Sequence, residues 1–386
     1  MNRNFTMTAT TLFGLEDVLA EELKNLGAMD IKKGIRSVSF VGDKGFMYKA
    51  NLSLRTAIRI LKPLKSFTAR DEDELYDKLK KINWLEYINI DSSFAINAVV
   101  NSKKFTSNSH YISLKSKDAI VDLFREKMDK RPNVDLKHPD LRIHVHIKDQ
   151  TCHVSLDSSG DSLHKRGYRD RTNIAPINEV LAAGMVLLSG YKGHRHFIDP
   201  MCGSGTILIE AAMIAANIPA NINRKEFGFE KWKDFDVDLF EVIRNSLLKK
   251  IINPTHKIMG FDKAPSAVKK AKENIKYANL EEFVNVYQLN FFETEKQLDG
   301  PTMLLFNPPY GERLQINTQE FYKQIGDTLK QNYPDTVAWF ITSDIPALNY
   351  VGLRTSKKIS LKNSNLDCKF VRYDMYEGSK KAKYIN

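Results

Sequence analysis

Residues 196–206 read His-Phe-Ile-Asp-Pro-Met-Cys-Gly-Ser-Gly-Thr, and an apolar run from Ile207 to Ala216 follows them directly. The start of this stretch predicts a short buried strand that ends at Asp199, and the apolar run predicts a helix. Because glycine lacks a Cβ atom, Gly203 and Gly205 let the loop approach a ligand closely, and the free N–H groups of the helix start favour an anionic or carboxylate group. The alternative is a tight strand-to-helix turn that binds nothing.

Beyond this loop, short apolar runs alternate with helical patterns as far as residue 342. Such alternation predicts a doubly wound, mostly parallel α/β sheet with right-handed crossovers. The segment from Lys357 to Tyr376 predicts two extended runs around a turn at Asn363-Ser364-Asn365, which would add an antiparallel edge. The predicted buried strands are His196 to Asp199, Lys257 to Asp262, Val284 to Leu289, Met303 to Phe306 and Val337 to Thr342.

The chain divides by composition into segments 1–65, 66–157 and 158–171, and the alternating pattern occupies 172–386. The first two segments mix strands with amphipathic helices, which is an α+β pattern. The third combines Ser and Gly with a cluster of cations, and we interpret it as a basic linker. The front half is predicted to contain strands at 5–10, 38–41, 93–100, 141–147 and 151–156, and helices at 14–26, 44–57, 71–82 and 117–129.

Length and charge limit the class of protein. A chain of 386 residues with 42% hydrophobic content is long enough for two or three domains, each with its own core. Its formal net charge of +11 and its isoelectric point near 9.2 favour a polyanionic partner. A basic balance also occurs in proteins that bind no nucleic acid, so charge alone does not identify the partner.

The cysteines and the N-terminus exclude several classes. Cys152, Cys202 and Cys368 lie far apart and form no CxxC pair or other metal-ligand spacing. A disulfide framework or a zinc site is therefore not expected. The first residues, MNRNFTMTATTLFGLEDVL, lack the apolar core of a signal peptide, and no apolar run reaches 18 residues. The sequence predicts a soluble, cytoplasmic protein with no membrane span and no metal.

The strand after the glycine loop ends in Gly260-Phe261-Asp262, and an acid at this position can accept both hydroxyls of a ribose. In a dinucleotide motif that acid follows the loop by roughly 20 residues, so a long insertion, 217–256, is predicted here. The third glycine of that motif is missing and Glu210 stands in the helix, which disfavours a nicotinamide cofactor. Asn290, after the third strand, could bond the adenine amino group of a nucleoside or serve only as a turn residue.

The fourth buried strand leads into Asn307-Pro308-Pro309-Tyr310, at the edge where open α/β sheets bind ligands. The side-chain carbonyl of Asn307 and the backbone carbonyl of Pro308 could orient the N–H groups of an amino nitrogen for methyl transfer. Tyr310 offers a ring on which a base could stack. An ordinary Pro-rich turn at a strand end is the alternative. We take these four residues as the candidate catalytic site.

Two motifs, DPMCGSGT at 199–206 and NPPYGERL at 307–314, resemble those of the Rossmann-fold, S-adenosylmethionine-dependent RNA methyltransferases that carry an N-terminal THUMP domain. The resemblance covers nearly the whole chain and is greatest to the enzymes that make N2-methylguanosine in large-subunit ribosomal RNA. HKRGYR at 164–169 and APINEVLAA at 175–183 look like the family segment that precedes the first sheet strand and covers the cofactor. NSK at 101–103 and KDAIVD at 117–122 resemble THUMP sequence.

The resemblance implies a ferredoxin-like region at 1–65, a THUMP RNA-binding domain at 66–157 and a methyltransferase domain at 172–386. It implies S-adenosylmethionine as the cofactor and the exocyclic N2 of a guanine in 23S rRNA as the methyl acceptor, in free RNA or in a precursor of the 50S subunit. No metal is needed, because the sulfonium methyl is already electrophilic. Asn290 departs from the Asp that is common at this position in the family. Cofactor contacts are expected from Asp199, Pro200, Gly203, Gly205, Thr206, Asp262 and Asn290.

RNA contacts are expected in two places. The linker combines cations with an aromatic ring, and the resemblance assigns much of the RNA binding to the THUMP region. Solvated surface charge is the alternative in both places. The expected residues are Lys165, Arg166, Tyr168, Arg169 and Arg171 around the linker, and Lys103, Lys104, Lys115 and Lys117 in the THUMP region.

Three other functions remain compatible with these motifs. A tRNA guanine-N2 methyltransferase has the same architecture, and a DNA adenine-N6 methyltransferase shares the Asn-Pro-Pro-Tyr chemistry, although the RNA-binding front half disfavours DNA. The non-catalytic alternative is an RNA-binding ribosome assembly factor with an inactive methyltransferase domain. The intact Gly203, Gly205, Asp262 and Asn307 argue against it. The sequence specifies neither the methylated nucleotide nor the oligomeric state.

Overall fold

The computed structural model describes residues 4–105, 108–169, 177–309 and 317–376. These residues form two β-sheets with helices packed against them. The helices are α1 (Glu16–Leu26), α2 (Lys44–Ser53), α3 (Glu72–Lys80), α4 (Ser109–Met128), α5 (Glu179–Leu188), α6 (Thr206–Ala215), α7 (Val237–Leu248), α8 (Pro265–Tyr277) and α9 (Thr318–Asn332). The strands are β1 (Phe5–Thr10), β2 (Met29–Gly34), β3 (Ser37–Gly42), β4 (Arg59–Thr68), β5 (Ser93–Asn101), β6 (Asn133–Val134), β7 (Leu141–Lys148), β8 (Thr151–Asp157), β9 (His196–Asp199), β10 (Ile258–Asp262), β11 (Val284–Gln288), β12 (Thr302–Phe306), β13 (Thr336–Thr342), β14 (Lys357–Asn363) and β15 (Leu366–Asp374).

The front half of the chain forms one continuous sheet in the order β2-β3-β1-β4-β8-β7-β5-β6. Strand β4 joins its two parts, because it pairs with β1 on one side and with β8 on the other. The sequence did not predict β4, since Pro63 and several lysines interrupt its pattern. Proline has no N–H to donate to a ladder, and Pro63 lies where the register with β8 shifts. The expected boundary between residues 65 and 66 falls inside this strand.

The second sheet has the order β11-β10-β9-β12-β13-β15-β14. Strands β9 to β13 run parallel, and the hairpin of β14 and β15 adds an antiparallel edge next to β13. The predicted fold class, a doubly wound sheet beside an α+β front half, is therefore confirmed. Parallel strands bring their carboxyl ends to one edge, so the residues that follow β9, β10, β11 and β12 lie along the same side of the sheet.

Two helix boundaries differ from the sequence prediction for local reasons. Helix α4 begins at Ser109 and not at 117, because the Asn108 side chain accepts the N–H of Tyr111 and caps the helix there. Helix α2 ends at Ser53, since Leu54 takes an extended conformation. The first turns of α4 contain polar residues, so apolar periodicity alone did not indicate where the helix begins.

The insertion between α6 and β10 packs against the front half of the chain. Tyr48 of α2 stacks on Phe229 with ring centroids 4.4 Å apart, and its hydroxyl accepts the N–H of Asp236 at 3.1 Å. Phe227 and Phe240 complete this aromatic cluster. The insertion thus connects the second sheet to the front sheet through a shared apolar core.

Candidate active site

The loop after β9 has the conformation that its glycines allow. Gly203 has φ +53° and Gly205 has φ +81°, both in the left-handed region that favours glycine. A Cβ atom on Gly203 would meet no described residue within 4 Å, whereas one on Gly205 would lie 3.2 Å from the Cβ of Ala271 in α8. With respect to the described residues, Gly203 therefore leaves room for close approach of a ligand, and Gly205 lets α8 pack against the loop.

Asp262, at the end of β10, ties that strand to the loop. Its Oδ2 accepts the N–H of Gly203 at 3.0 Å, and its Oδ1 accepts the N–H of Ala264 at 2.9 Å. The carboxylate is only partly buried, and each of its oxygens has a second lone pair. Asp262 can accept hydroxyl groups while it still holds the loop.

Asp199, at the end of β9, is buried, and its Oδ1 accepts the N–H of Met201 at 3.2 Å. Burial raises the pKa of this carboxyl well above its ordinary value, and the nearby Asp262 carboxylate raises it further. A cationic group at this position would counter the cost of ionising the buried acid. The following Pro200 is also buried and has no N–H that needs a partner.

Asn290 begins a short 3-10 turn after β11. Its Oδ1 accepts the N–H of Phe292 at 3.3 Å, and its Nδ2 donates to Glu293 Oε1 at 2.7 Å. The side chain has the turn role that the sequence left as an alternative, with one lone pair of Oδ1 still available.

Asn307 lies directly after β12, at the same sheet edge as Asp199 and Asp262. Its side-chain Oδ1 is buried and has no hydrogen-bond partner among the residues that the structure describes. A buried carbonyl without a donor costs roughly 1–3 kcal/mol, so it needs an explanation such as a ligand that supplies the donor. Pro308 is buried and Pro309 is exposed. Tyr310, the predicted stacking platform, lies outside the described residues.

Arg166 and Tyr168 lie in the interior, each 1% exposed. Arg166 Nε donates to Glu210 Oε1 at 3.2 Å and its Nη1 donates to Asn221 Oδ1 at 3.1 Å, while the Tyr168 hydroxyl donates to the same Glu210 oxygen at 3.2 Å. Side chains so buried offer no surface to an RNA, and we remove both from the expected RNA contacts. Glu210 is a lone acid in the apolar helix α6. Because a buried carboxylate is normally paired with a cation, this residue could have indicated from the sequence that a buried Lys or Arg lies nearby.

Arg169 connects the linker to the start of α6. Its Nη1 lies 3.0 Å from Glu179 Oε1, and its Nη2 donates to the hydroxyl of Thr206 and, at 3.3 Å, to the carbonyl of Ile177. Burial raises the pKa of Glu179, and the Arg169 guanidinium opposes this shift. Arg169 therefore contacts the first residue of the helix that follows the glycine loop.

A cleft of about 560 Å³ lies between the front sheet, the linker and the insertion, and we call it the interdomain cleft. Eight Lys or Arg side chains line it against three Asp or Glu side chains. Burial lowers the pKa of Arg224 to about 10, and its guanidinium donates to the carbonyls of Ser162 and Lys165. The excess of positive charge suits a polyanion. Its cations include Lys137, Arg142, Lys165, Arg169, Arg224 and Lys225.

The four THUMP lysines lie at or near the surface. Lys103 and Lys104 are exposed after β5, and Lys104 donates to Gln150 at 3.1 Å. Lys115 and Lys117 are partly buried and pair with carboxylates of Asp73 and Asp118. An anionic ligand would compete with these carboxylates for Lys115 and Lys117.

Neither a metal site nor a membrane span is found in the part of the chain that the structure describes. No three His, Cys, Asp or Glu side chains there come close enough together to hold a metal ion. No helix in that part combines the length and the apolar content that crossing a bilayer requires. Cys152, Cys202 and Cys368 are buried and form no disulfide among themselves.

The first, second and fourth strands of the parallel sheet thus end in a glycine loop, an acid that holds this loop, and an Asn-Pro-Pro sequence. Together these features define the class of the protein as a methyltransferase with a Rossmann-like sheet. A family model described as RMKL-like, methyltransferase domain, matches residues 166–372. A THUMP domain model matches 69–157, and an RlmL ferredoxin-like domain model matches 6–61. The chain belongs to the RMKL-like methyltransferase family.

Individual relatives agree with this assignment. A Synechocystis sp. protein named as a candidate RNA methyltransferase is 34% identical over 95% of this chain and 96% of its own length. The ribosomal RNA large subunit methyltransferase K/L of Photobacterium profundum is 37% identical over 97% of this chain but only 54% of its own length. The chain spans about half the length of the curated K/L relatives that it matches.

A solved methyltransferase structure extends the comparison to the cofactor. It was determined in complex with S-adenosylhomocysteine and superimposes with a TM-score of 0.87, at 30% identity, over 98% of this chain and 100% of the other. The family and this complex confirm the predicted cofactor, S-adenosylmethionine. The predicted family and its THUMP domain are confirmed as well.

Proposed function

We propose that the protein transfers the methyl group of S-adenosylmethionine to the exocyclic N2 of a guanine in large-subunit rRNA. The observation that carries this proposal is the buried Oδ1 of Asn307 at the carboxyl edge of the sheet, which has no hydrogen-bond partner within the described part of the chain. The related large-subunit rRNA methyltransferases support rRNA as the substrate, and the sequence resemblance supports guanine N2. Such a substrate would place the activity in the cytoplasm.

The side chains at the sheet edge would hold the cofactor in defined positions. We assign the ribose hydroxyls to Asp262 and the cofactor ammonium to the buried Asp199. The backbone at Gly203 would contact the methionine part of the cofactor. Pro200 and Thr206 are buried and Gly205 packs against α8, so these three residues would shape the loop without direct contact to the cofactor. The remaining lone pair of Asn290 Oδ1 is available to the adenine amino group. When bound, the cofactor supplies a methyl group on a positively charged sulfur, which an amino nitrogen can attack directly.

Asn307 and Pro308 would act on the guanine amino group. Its lone pair is delocalised into the ring, and two carbonyl acceptors on its N–H groups favour the pyramidal nitrogen that attacks the methyl carbon. Attack of the nitrogen would form the N–C bond as the S–C bond breaks, and the cationic nitrogen would then pass one proton to solvent water. This arrangement needs alignment and acceptors but no enzymic nucleophile.

The RNA would lie across the interdomain cleft and the THUMP surface. Phosphates bind Lys and Arg side chains without regard to sequence, and cations outnumber acids in the lining of the cleft. We propose Lys165 and Arg169 as contacts in the cleft, together with Lys103, Lys104, Lys115 and Lys117 in the THUMP region. The target base must be unpaired or flipped out, because duplex RNA hides its base edges.

The test is nucleoside mass spectrometry of rRNA and tRNA from a strain that lacks the gene. We expect N2-methylguanosine to fall in large-subunit rRNA alone and to return with the wild-type gene but not with Asn307→Ala. A loss confined to tRNA would select the tRNA alternative, and a loss of N6-methyladenine would select adenine as the base. Unchanged modification in all RNA and DNA would contradict methyl transfer as the function.

A further inference from the structure

The basic linker contacts the helix that follows the glycine loop at two points one turn apart. Arg166 and Tyr168 bind Glu210, and Arg169 binds Thr206, four residues earlier on α6. Thr206 is 2% exposed and directly follows Gly205. The position of the linker therefore fixes the position of the first turn of α6, where the cofactor loop ends.

The same linker forms one wall of the interdomain cleft. Lys165, Arg166 and Arg169 all line this cavity, and Arg169 is the one of the three that touches Thr206. The side chain of Arg169 is 13% exposed and that of its ion-pair partner Glu179 is 5% exposed. Arg169 Nε is buried and lacks a hydrogen-bond partner among the described residues. Within the described ranges, Arg169 thus bonds to Thr206 and Glu179 and keeps one buried donor, Nε, without a partner.

We propose that Arg169 is a positioning residue that couples RNA binding in the cleft to cofactor binding at the glycine loop. The inference rests on the proposed RNA substrate. An RNA backbone in the cleft contacts the same linker that holds Thr206, so RNA and cofactor both bind the conformation in which Arg169 bridges Glu179 and Thr206. Because both ligands favour one conformation, the coupling is positive. By linkage the cofactor tightens RNA binding by the same factor.

The fork of the guanidinium is essential to this role. One nitrogen pairs with Glu179 while the other donates to Thr206. A lysine at this position would keep the charge but present a single ammonium, which cannot hold both partners in the same geometry. Arg169→Lys thus separates the charge of the residue from its bridging function.

The experiment measures the dissociation constant of S-adenosylhomocysteine by calorimetry, with the full chain alone and with a saturating large-subunit rRNA transcript. In the wild-type protein the RNA should lower this constant about fivefold, within the range of allosteric couplings. In Arg169→Lys the ratio should fall to about one. The matched control is Lys225→Gln, an exposed cleft residue, which should weaken RNA binding and keep the fivefold ratio.

The outcomes separate this inference from the proposed function. If the wild-type protein binds no rRNA, the proposed function fails and the coupling with it. If rRNA binds but Arg169→Lys retains the wild-type ratio, or the wild-type ratio is itself one, only the coupling is overturned. Thermal unfolding shows whether Arg169→Lys is folded. If it is not, Thr206→Val replaces it as the test, because this change removes the acceptor hydroxyl alone and should abolish the coupling in the same way.

Discussion

The carboxylate of Asp262 accepts the backbone N–H of Gly203 at 3.0 Å, so the end of β10 holds the glycine loop that follows β9. The second oxygen of the same carboxylate accepts the N–H of Ala264 and is thereby fixed in orientation. One side chain thus shapes the loop and keeps lone pairs free for a ribose. The cofactor site that we propose depends on this contact between two strands.

Asp262→Asn should weaken cofactor binding about 10- to 100-fold. An amide has one acceptor oxygen and no charge, so it must give up one of the two backbone contacts, and hydrogen bonds to charged groups contribute about 1.5–3 kcal/mol. Calorimetry with S-adenosylhomocysteine measures the effect. Glu282→Gln, an exposed acid near the end of α8, is the control and should bind as the wild type does. A loss of less than threefold in Asp262→Asn would contradict the assigned role.

Glu210→Ala should lower the free energy of unfolding by about 3–5 kcal/mol. The change leaves the buried guanidinium of Arg166 without its carboxylate, and breaking a buried ion pair is costly. Urea denaturation measures this difference. The control is Lys323→Ala, which removes an exposed pair with Asp327 and should cause no measurable change. Equal stability of the two variants would mean that Glu210 and Arg166 do not hold the linker.

Asp199→Asn should be more stable than the wild-type protein, and the difference in free energy of unfolding should increase with pH. Burial raises the folded-state pKa of Asp199 above the unfolded value, so between the two values the folded state binds more protons and wild-type stability falls with increasing pH. Asparagine does not titrate, so the stability of the variant does not fall with pH for this reason. Its advantage in free energy of unfolding should be small near pH 4 and grow toward pH 8.

The same variant should bind the cofactor less tightly, because the amide cannot pair with the ammonium group that we assign to this position. Urea denaturation at several pH values and calorimetry with S-adenosylhomocysteine test the two effects separately. A stability difference that is constant with pH would show that Asp199 titrates as it does in the unfolded chain. Unchanged cofactor affinity would remove Asp199 from the site.

Lys165→Gln should weaken RNA binding and reduce the slope of log affinity against log salt concentration by about one, because one phosphate contact is lost. The interdomain cleft is lined by Lys165 but not by Lys33, which lies on the edge strand β2. Lys33→Gln is therefore the matched control and should leave the slope unchanged. Filter binding of an rRNA transcript at several salt concentrations provides both slopes. Equal slopes for the two variants would exclude Lys165 as a phosphate contact.

The sequence predicted most of the parallel sheet because strands such as β12 and β13 are short apolar runs bounded by polar residues. The strand expected to be buried at 284–289 is instead the edge strand β11, in which only Val284 and Val286 are buried. Strand β4 could not be found in this way, since Pro63 and its neighbouring lysines give the pattern of a loop. Only pairing with β1 and β8 makes it a strand. Such pairing joins residues about 50 to 100 positions apart, and local periodicity contains no information about it.

The candidate site shows the same limit. Asn307 and Asp262 were identified because each follows a predicted strand, and parallel strands place their ends together. Arg166 and Tyr168 were expected to contact RNA because the linker combines cations with an aromatic ring. Their burial depends on Glu210, which is 44 residues from Arg166 and 42 from Tyr168. The single charge of Glu210 in an apolar helix is informative only once the fold brings the two segments together.

The most direct test of the proposed mechanism is the single-turnover rate of methyl transfer by Asn307→Ala, measured beside its affinity for S-adenosylhomocysteine. The substrate is unmodified large-subunit rRNA from the deletion strain. We expect the rate to fall about 100- to 1000-fold, as when one transition-state acceptor or donor is removed, with cofactor affinity within threefold of the wild type. An unchanged rate, or an equal loss of rate and cofactor affinity, would contradict the role of Asn307 as the acceptor that orients the amino group.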